Sequence, residues 1–177
     1  MKYILLILLF LILACNQKER RSAEAELDAK VGLGNINSLE LEVYNFNELE
    51  PLLNKSDDTI YVINFWATWC APCIKELPYF ETISENYKSK NVKVILVSLD
   101  FPKQYETKLK PFISKHKLKS RIVVLNDVDS NYWIPKVSEN WSGAIPATVI
   151  YKNENRKFYE KSFNLEELKT EVNKFLN

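Results

Sequence analysis

Trp69-Cys70-Ala71-Pro72-Cys73-Ile74 is the stretch that decides the fold. Two cysteines separated by two residues can close into a small disulfide and reopen while the surrounding chain stays in place. Upstream, Thr59-Ile60-Tyr61-Val62-Ile63-Asn64-Phe65-Trp66 is a β-branched and aromatic run that predicts a buried strand. Downstream, Ile74, Leu77, Phe80, Ile83 and Tyr87 recur at helical spacing and predict one apolar helix face. The pair therefore sits where a strand ends and a helix begins. Free backbone N–H groups and the positive end of the helix dipole favour an anion there, so Cys70 should ionise more easily than a free thiol. Pro72 suits a first helical turn, where its missing N–H is not required.

Other uses of a CxxC spacing fit less well. Half of a zinc site needs two further ligands, and the chain offers only Cys15 and His116, neither paired at ligand spacing. Covalent haem attachment wants histidine directly after the second cysteine, where Ile74 stands. A chance pair of core cysteines is the remaining alternative. The strand, proline and helix around the motif favour a redox pair.

Phe65-Trp66-Ala67-Thr68-Trp69-Cys70-Ala71-Pro72-Cys73 resembles the thioredoxin active-site stretch. Lys75-Glu76-Leu77-Pro78 after it and Asn64 before it resemble the membrane-anchored TlpA/ResA-type thioredoxins of bacteria. The resemblance runs from about Leu39 to the C-terminus. It implies an α/β thioredoxin-like fold, with a central mixed sheet flanked by helices, an N-terminal strand extension and an inserted helix. The inserted helix is expected around Asp100 to Arg121, because the interval from Cys73 to Pro146 exceeds that of a minimal thioredoxin.

Length, composition and charge set outer bounds. The 177 residues allow one domain and a short extension, and 46% hydrophobic residues suffice for a core. Net charge is +1, and removing Lys2 with a leader leaves 23 basic against 23 acidic residues. Nothing in that balance suggests nucleic acid as a partner. After Met1-Lys2-Tyr3, the apolar run Ile4 to Ala14 is shorter than the roughly 20 residues of a membrane span and reads as a signal segment. Ile12-Leu13-Ala14-Cys15 resembles a bacterial lipobox, which implies lipidation of Cys15 and leaves one redox pair in a disulfide-permissive, cell-envelope compartment; a plain cleaved signal or an uncleaved anchor is the alternative. The expected organisation is signal peptide 1–14, lipidated Cys15 and flexible tether 15–38, and thioredoxin-like domain 39–177.

Along that domain, Leu39, Leu41 and Val43 alternate with glutamates and predict a half-exposed strand. Asn47 with Glu50 predicts the cap of a short helix. Val92 to Leu99 predicts a central strand. Asp100 to Ser120 carries helical spacing and a basic, solvated face, with His116 at its surface. Ile122 to Leu125 predicts a strand, then an aromatic-rich segment broken by Pro135. Phe158 to Phe163 predicts a last strand, and Asn164 with Glu167 caps a final helix.

The resemblance assigns roles. Cys70 is the nucleophile that forms a mixed disulfide, and Cys73 resolves it. Pro146 is expected in the cis form opposite the cysteines, so that Ile145 can pair with a substrate strand. Trp69 forms a partly exposed wall, while Trp66 belongs to the core. Thioredoxin has a buried aspartate where Asn64 stands, and asparagine cannot titrate. Glu76, on the same helical face as Cys73, is the candidate proton carrier, with an ordinary exposed glutamate as the alternative. The implied activity is extracytoplasmic thiol-disulfide oxidoreduction without cofactor or metal. Its implied partners are exported protein thiols and disulfides and a membrane electron donor. A thiol peroxidase would carry Pro and Thr seven and three residues before its cysteine, where Ile63 and Ala67 stand. A redox-inert binding module is the other alternative.

Overall fold

The computed structural model of the chain describes residues 39–176. In chain order the elements are β1 (Glu42–Tyr44), α1 (Phe46–Leu53), β2 (Ile60–Trp66), α2 (Ala71–Asn86), β3 (Val92–Ser98), α3 (Lys110–His116), β4 (Arg121–Leu125), α4 (Ser130–Val137), β5 (Ala147–Lys152), β6 (Asn155–Tyr159) and α5 (Leu165–Asn173). The strands form one mixed sheet in the order β1-β4-β3-β2-β5-β6. β1, β4, β3 and β2 are mutually parallel, whereas β5 pairs antiparallel with β2 and β6. This is the thioredoxin-like α/β fold that the motif implied.

All seven residues of β2 are buried, as its apolar, β-branched run predicts for a strand covered on both faces. Its side chains alternate. Tyr61, Ile63 and Phe65 join a core with Phe46, Trp133 and Trp141 from the α1 and α4 side. Asn64 points to the opposite side, where its amide meets Glu76 of α2. There α2 packs against α5, with Leu77, Phe80, Leu168 and Val172 buried. The inserted segment between β3 and β4 passes through a short 3-10 turn and a π-helical turn into α3. Its Phe112 packs 5.5 Å from the fully buried Trp66. The lysines of this segment are exposed or half-exposed and His116 is exposed, so the basic run is a solvated face.

Four local expectations are corrected. The first strand is limited to Glu42–Tyr44. The capping pair of α1 is Asn45 with Glu48, two residues earlier than Asn47 with Glu50. That start puts Phe46 and Leu49 together in the core, which a start after Asn47 would break. Pro135 lies inside α4 without ending it: the helix runs on to Val137, and the Ser138 N–H still reaches the Ile134 carbonyl. The last strand is Asn155–Tyr159, not Phe158–Phe163. The left-handed Asn153, φ 51°, turns the chain tightly enough to pair Lys152 with Asn155.

Register brings the distant loops together. Phe65 pairs with Ala147, so the segment after β2 ends beside the segment before β5. Trp66 pairs with Ser98, so it also ends beside the segment after β3. Three loops therefore converge at one edge, the carboxyl end of β2. Among the described residues, no helix is long and apolar enough to cross a membrane.

Candidate active site

Cys70 ends the loop after β2 and serves as the N-cap residue of α2. It is bonded to Cys73, with Cα atoms 5.3 Å apart. The Cys73 N–H points at Cys70 Sγ, 3.3 Å away. One of the orphan donors of the first helical turn thus faces the first sulfur, which is where a thiolate would gain from it. Cys70 is 6% exposed and Cys73 is fully buried. Ala71 and Pro72 between them are exposed, and Pro72 occupies the first turn as expected.

Opposite stands the loop before β5. The Ile145–Pro146 peptide is cis. The Ile145 carbonyl oxygen lies 3.7 Å from Cys70 Sγ. The structure therefore brings Cys70, Cys73, Ile145 and Pro146 to one place.

Glu76 lies one turn beyond Cys73 and is completely buried, so the reading as an exposed helix glutamate is overturned. The Phe163 N–H donates to its carboxylate at 2.7 Å. The Asn64 amide donates to its other oxygen at 3.0 Å and to Thr148 Oγ1 at 3.1 Å. Burial pushes the Glu76 pKa up to about 7, outweighing these two donors, which pull it down.

Trp69 is 53% exposed beside the cysteines and stacks on Phe101, itself 62% exposed, with ring centres 6.3 Å apart. Asp100, directly before Phe101, is a buried carboxylate. Asp100 accepts from the Thr68 N–H at 3.0 Å, from the Thr68 hydroxyl at 2.5 Å and from the Ser98 hydroxyl at 2.8 Å. It ties Thr68, the residue before Trp69, to Ser98 at the end of β3. Sequence reasoning missed both Phe101 and Asp100. Their only signal was position directly after a central strand, since the contact depends on the β2/β3 register. Cys15 lies outside the described residues. A separate groove of about 1200 Å³ runs between α2 and α3, lined by Ile74, Leu77, Phe112 and Leu118 among others, and neither cysteine lines it.

A central strand leading into a CxxC at a helix start, with a cis-proline strand opposite, defines the thioredoxin class. Comparison with solved structures gives the same fold. A secreted thiol-disulfide isomerase from Corynebacterium glutamicum superposes with TM-score 0.57 at 14% identity, covering 68% of this chain and 72% of that one. StoA from Bacillus subtilis superposes with TM-score 0.50 at 28% identity, covering 65% and 83%. The chain belongs to the AhpC/TSA family, whose profile matches residues 39–156. Among curated relatives, thiol-disulfide oxidoreductase ResA of Bacillus cereus is 37% identical over 62 residues, 35% of this chain and 34% of the relative. Sporulation thiol-disulfide oxidoreductase A of Bacillus subtilis is 38% identical over 71 residues, 40% and 42%. The resemblance to ResA-type proteins is thereby borne out, over matches that span between about a third and two fifths of these relatives' length.

Proposed function

We propose that the chain is a thiol-disulfide oxidoreductase that reduces or exchanges disulfides of exported proteins. The observation that carries this reading is the Cys70–Cys73 pair at the start of α2, facing the Ile145 carbonyl. The Cys70 thiolate attacks one sulfur of a substrate disulfide; a mixed disulfide forms and the second substrate sulfur leaves as a thiolate, which takes up a proton. Cys73 then passes its proton to the Glu76 carboxylate and attacks Cys70 Sγ. The mixed disulfide breaks and the other substrate sulfur leaves. Two electrons have moved to the substrate, and the Cys70–Cys73 disulfide has formed. A carboxyl group with a pKa of about 7 both accepts and releases a proton near neutral pH, which suits Glu76 to that step. Trp69, Ile145 and Pro146 border the substrate, Ile145 offering its carbonyl to a substrate strand.

The wider setting belongs to the same proposal. Residues 1–14 are a signal segment, and Cys15 carries a lipid that anchors the chain on the outer side of a membrane through the tether 16–38. The relatives' names, ResA among them, are those of thiol-disulfide oxidoreductases, which supports the activity. A membrane electron donor resets the dithiol. Labelled fatty acid entering the wild type but not Cys15→Ser supports the anchor; equal labelling of both overturns it.

A thiol peroxidase is the second reading, favoured by the family's description. The positions where it needs a proline and a threonine hold Ile63 and Ala67, both fully buried and without a hydroxyl. The test of the main reading is the Cys73→Ser chain, which stalls the first step. It should accumulate a mixed disulfide with a polypeptide disulfide substrate, released by dithiothreitol. Absence of that adduct overturns the reading.

A further inference from the structure

The loop that carries Ile145 is held from two directions. From the core, the Trp141 indole N–H donates to the Ala144 carbonyl at 2.8 Å. Trp141 is itself packed against Phe65, with ring centres 4.8 Å apart, and against Trp133 and Phe158. From solvent, three donors of the loop converge on one carboxylate. The Ser142 N–H donates to Glu160 Oε2 at 3.1 Å, the Ala144 N–H donates to Glu160 Oε1 at 3.2 Å, and the Ser142 hydroxyl donates to Oε1 as well. Between these donors sits Gly143 with φ +93°, where an added Cβ would stand 3.0 Å from Ile134 Cδ1. The loop turns sharply there and only glycine accommodates it without strain.

Strand register puts Glu160 in position. Tyr159, the last residue of β6, pairs with Thr148, so Glu160 just beyond it lies beside the chain entering β5. The carboxylate is exposed, yet its pKa is held below the usual value, first by the Ser142 hydroxyl and then by the Ser142 N–H, with the Ala144 N–H adding to them. It is ionised at neutral pH, and charge-assisted hydrogen bonds are stronger than neutral ones. The carbonyl it helps to place is the one 3.7 Å from Cys70 Sγ.

We propose that Glu160 is a positioning residue for the polypeptide substrate, its carboxylate fixing the Ser142–Ala144 turn so that Ile145 presents its carbonyl beside Cys70. This rests on the oxidoreductase reading. Glu160 touches neither cysteine, so its removal should leave the chemistry of the sulfurs intact. A substrate that pairs with the loop would lose; one too small to reach it would not. An exposed cluster also contributes little to global stability, since each bond there competes with water.

The test compares Glu160→Ala and Glu160→Gln with wild type in the 177-residue chain, using insulin and Ellman's reagent as the large and small disulfides. Glu160→Ala should raise KM for insulin roughly fivefold to tenfold, at unchanged kcat. Its rate with Ellman's reagent should match wild type. Glu160→Gln keeps an acceptor for the Ser142 hydroxyl and the Ala144 N–H, and should bring KM back to within about threefold of wild type. An unchanged KM for insulin in Glu160→Ala overturns the proposal. Equal slowing with both disulfides also overturns it, because that is the signature of a general structural loss. A wild-type chain that reduces neither disulfide overturns the oxidoreductase reading itself, and this proposal with it.

Discussion

The Asn64 amide donates to the Glu76 carboxylate at 3.0 Å, joining the middle of β2 to the first turns of α2 beneath the cysteines. A non-titrating side chain on the strand thus holds a titrating one on the helix.

That burial gives stability a defined pH dependence. In the folded chain the Glu76 pKa is raised from 4.5 to about 7, so the folded state binds the proton more tightly than the unfolded state. Stability from this group is present below about pH 4.5 and is lost as pH rises through 7. The loss should be on the order of 3 kcal/mol. Denaturant unfolding of wild type and Glu76→Gln between pH 4.5 and 8 measures it. The difference between the two chains should change over that window; a constant difference would contradict a buried, titrating Glu76.

The two cysteines should differ in reactivity once reduced. Cys70 is 6% exposed and Cys73 is 0% exposed, and the Cys73 N–H points at Cys70 Sγ. Iodoacetamide near neutral pH should therefore modify Cys70 first, as mapped by peptide mass. Faster modification of Cys73 would reverse the assigned roles.

Asp100 should be a stability residue with a functional echo. It accepts hydrogen bonds from both the backbone and the side chain of Thr68 while buried against Ser98. Asp100→Ala leaves those donors without their acceptor and should cost about 2–4 kcal/mol by denaturant unfolding. A loss below about 1 kcal/mol would mean that the Thr68 loop holds itself.

Much of this was legible in the sequence, and the reasons are local. The strand before Cys70, the helix after it, the capping pair Asn164–Glu167 and the cis form of Pro146 each follow from a short stretch or its resemblance to a known motif. Glu76 was legible as a candidate, but its burial was not, because that depends on α2 packing over Asn64 and on Phe163 arriving from beyond β6. Asp100, Phe101 and Glu160 were out of reach for the same reason. Their partners lie 32, 32 and 16 to 18 residues away and meet only through strand register. Glu160 was also read as lying inside a strand, which hid its place at the end of β6.

The dithiol should be reducing. Strong oxidants of this fold stabilise a thiolate, which needs a cation or several donors near the first sulfur. Ala71 and Pro72 supply neither, and the Cys73 N–H is the donor that meets Cys70 Sγ. An ionised Glu76 behind Cys73 opposes a second negative charge. Equilibration against glutathione should give a midpoint below roughly −200 mV, and a value above about −150 mV would reverse the direction of electron flow.

Insulin reduction tests the central claim most directly. With dithiothreitol as electron source, the wild-type chain should shorten the lag before insulin precipitates, and Cys70→Ser should leave that lag as it is with dithiothreitol alone. A wild-type chain no faster than dithiothreitol, or a Cys70→Ser chain as fast as wild type, would contradict the account.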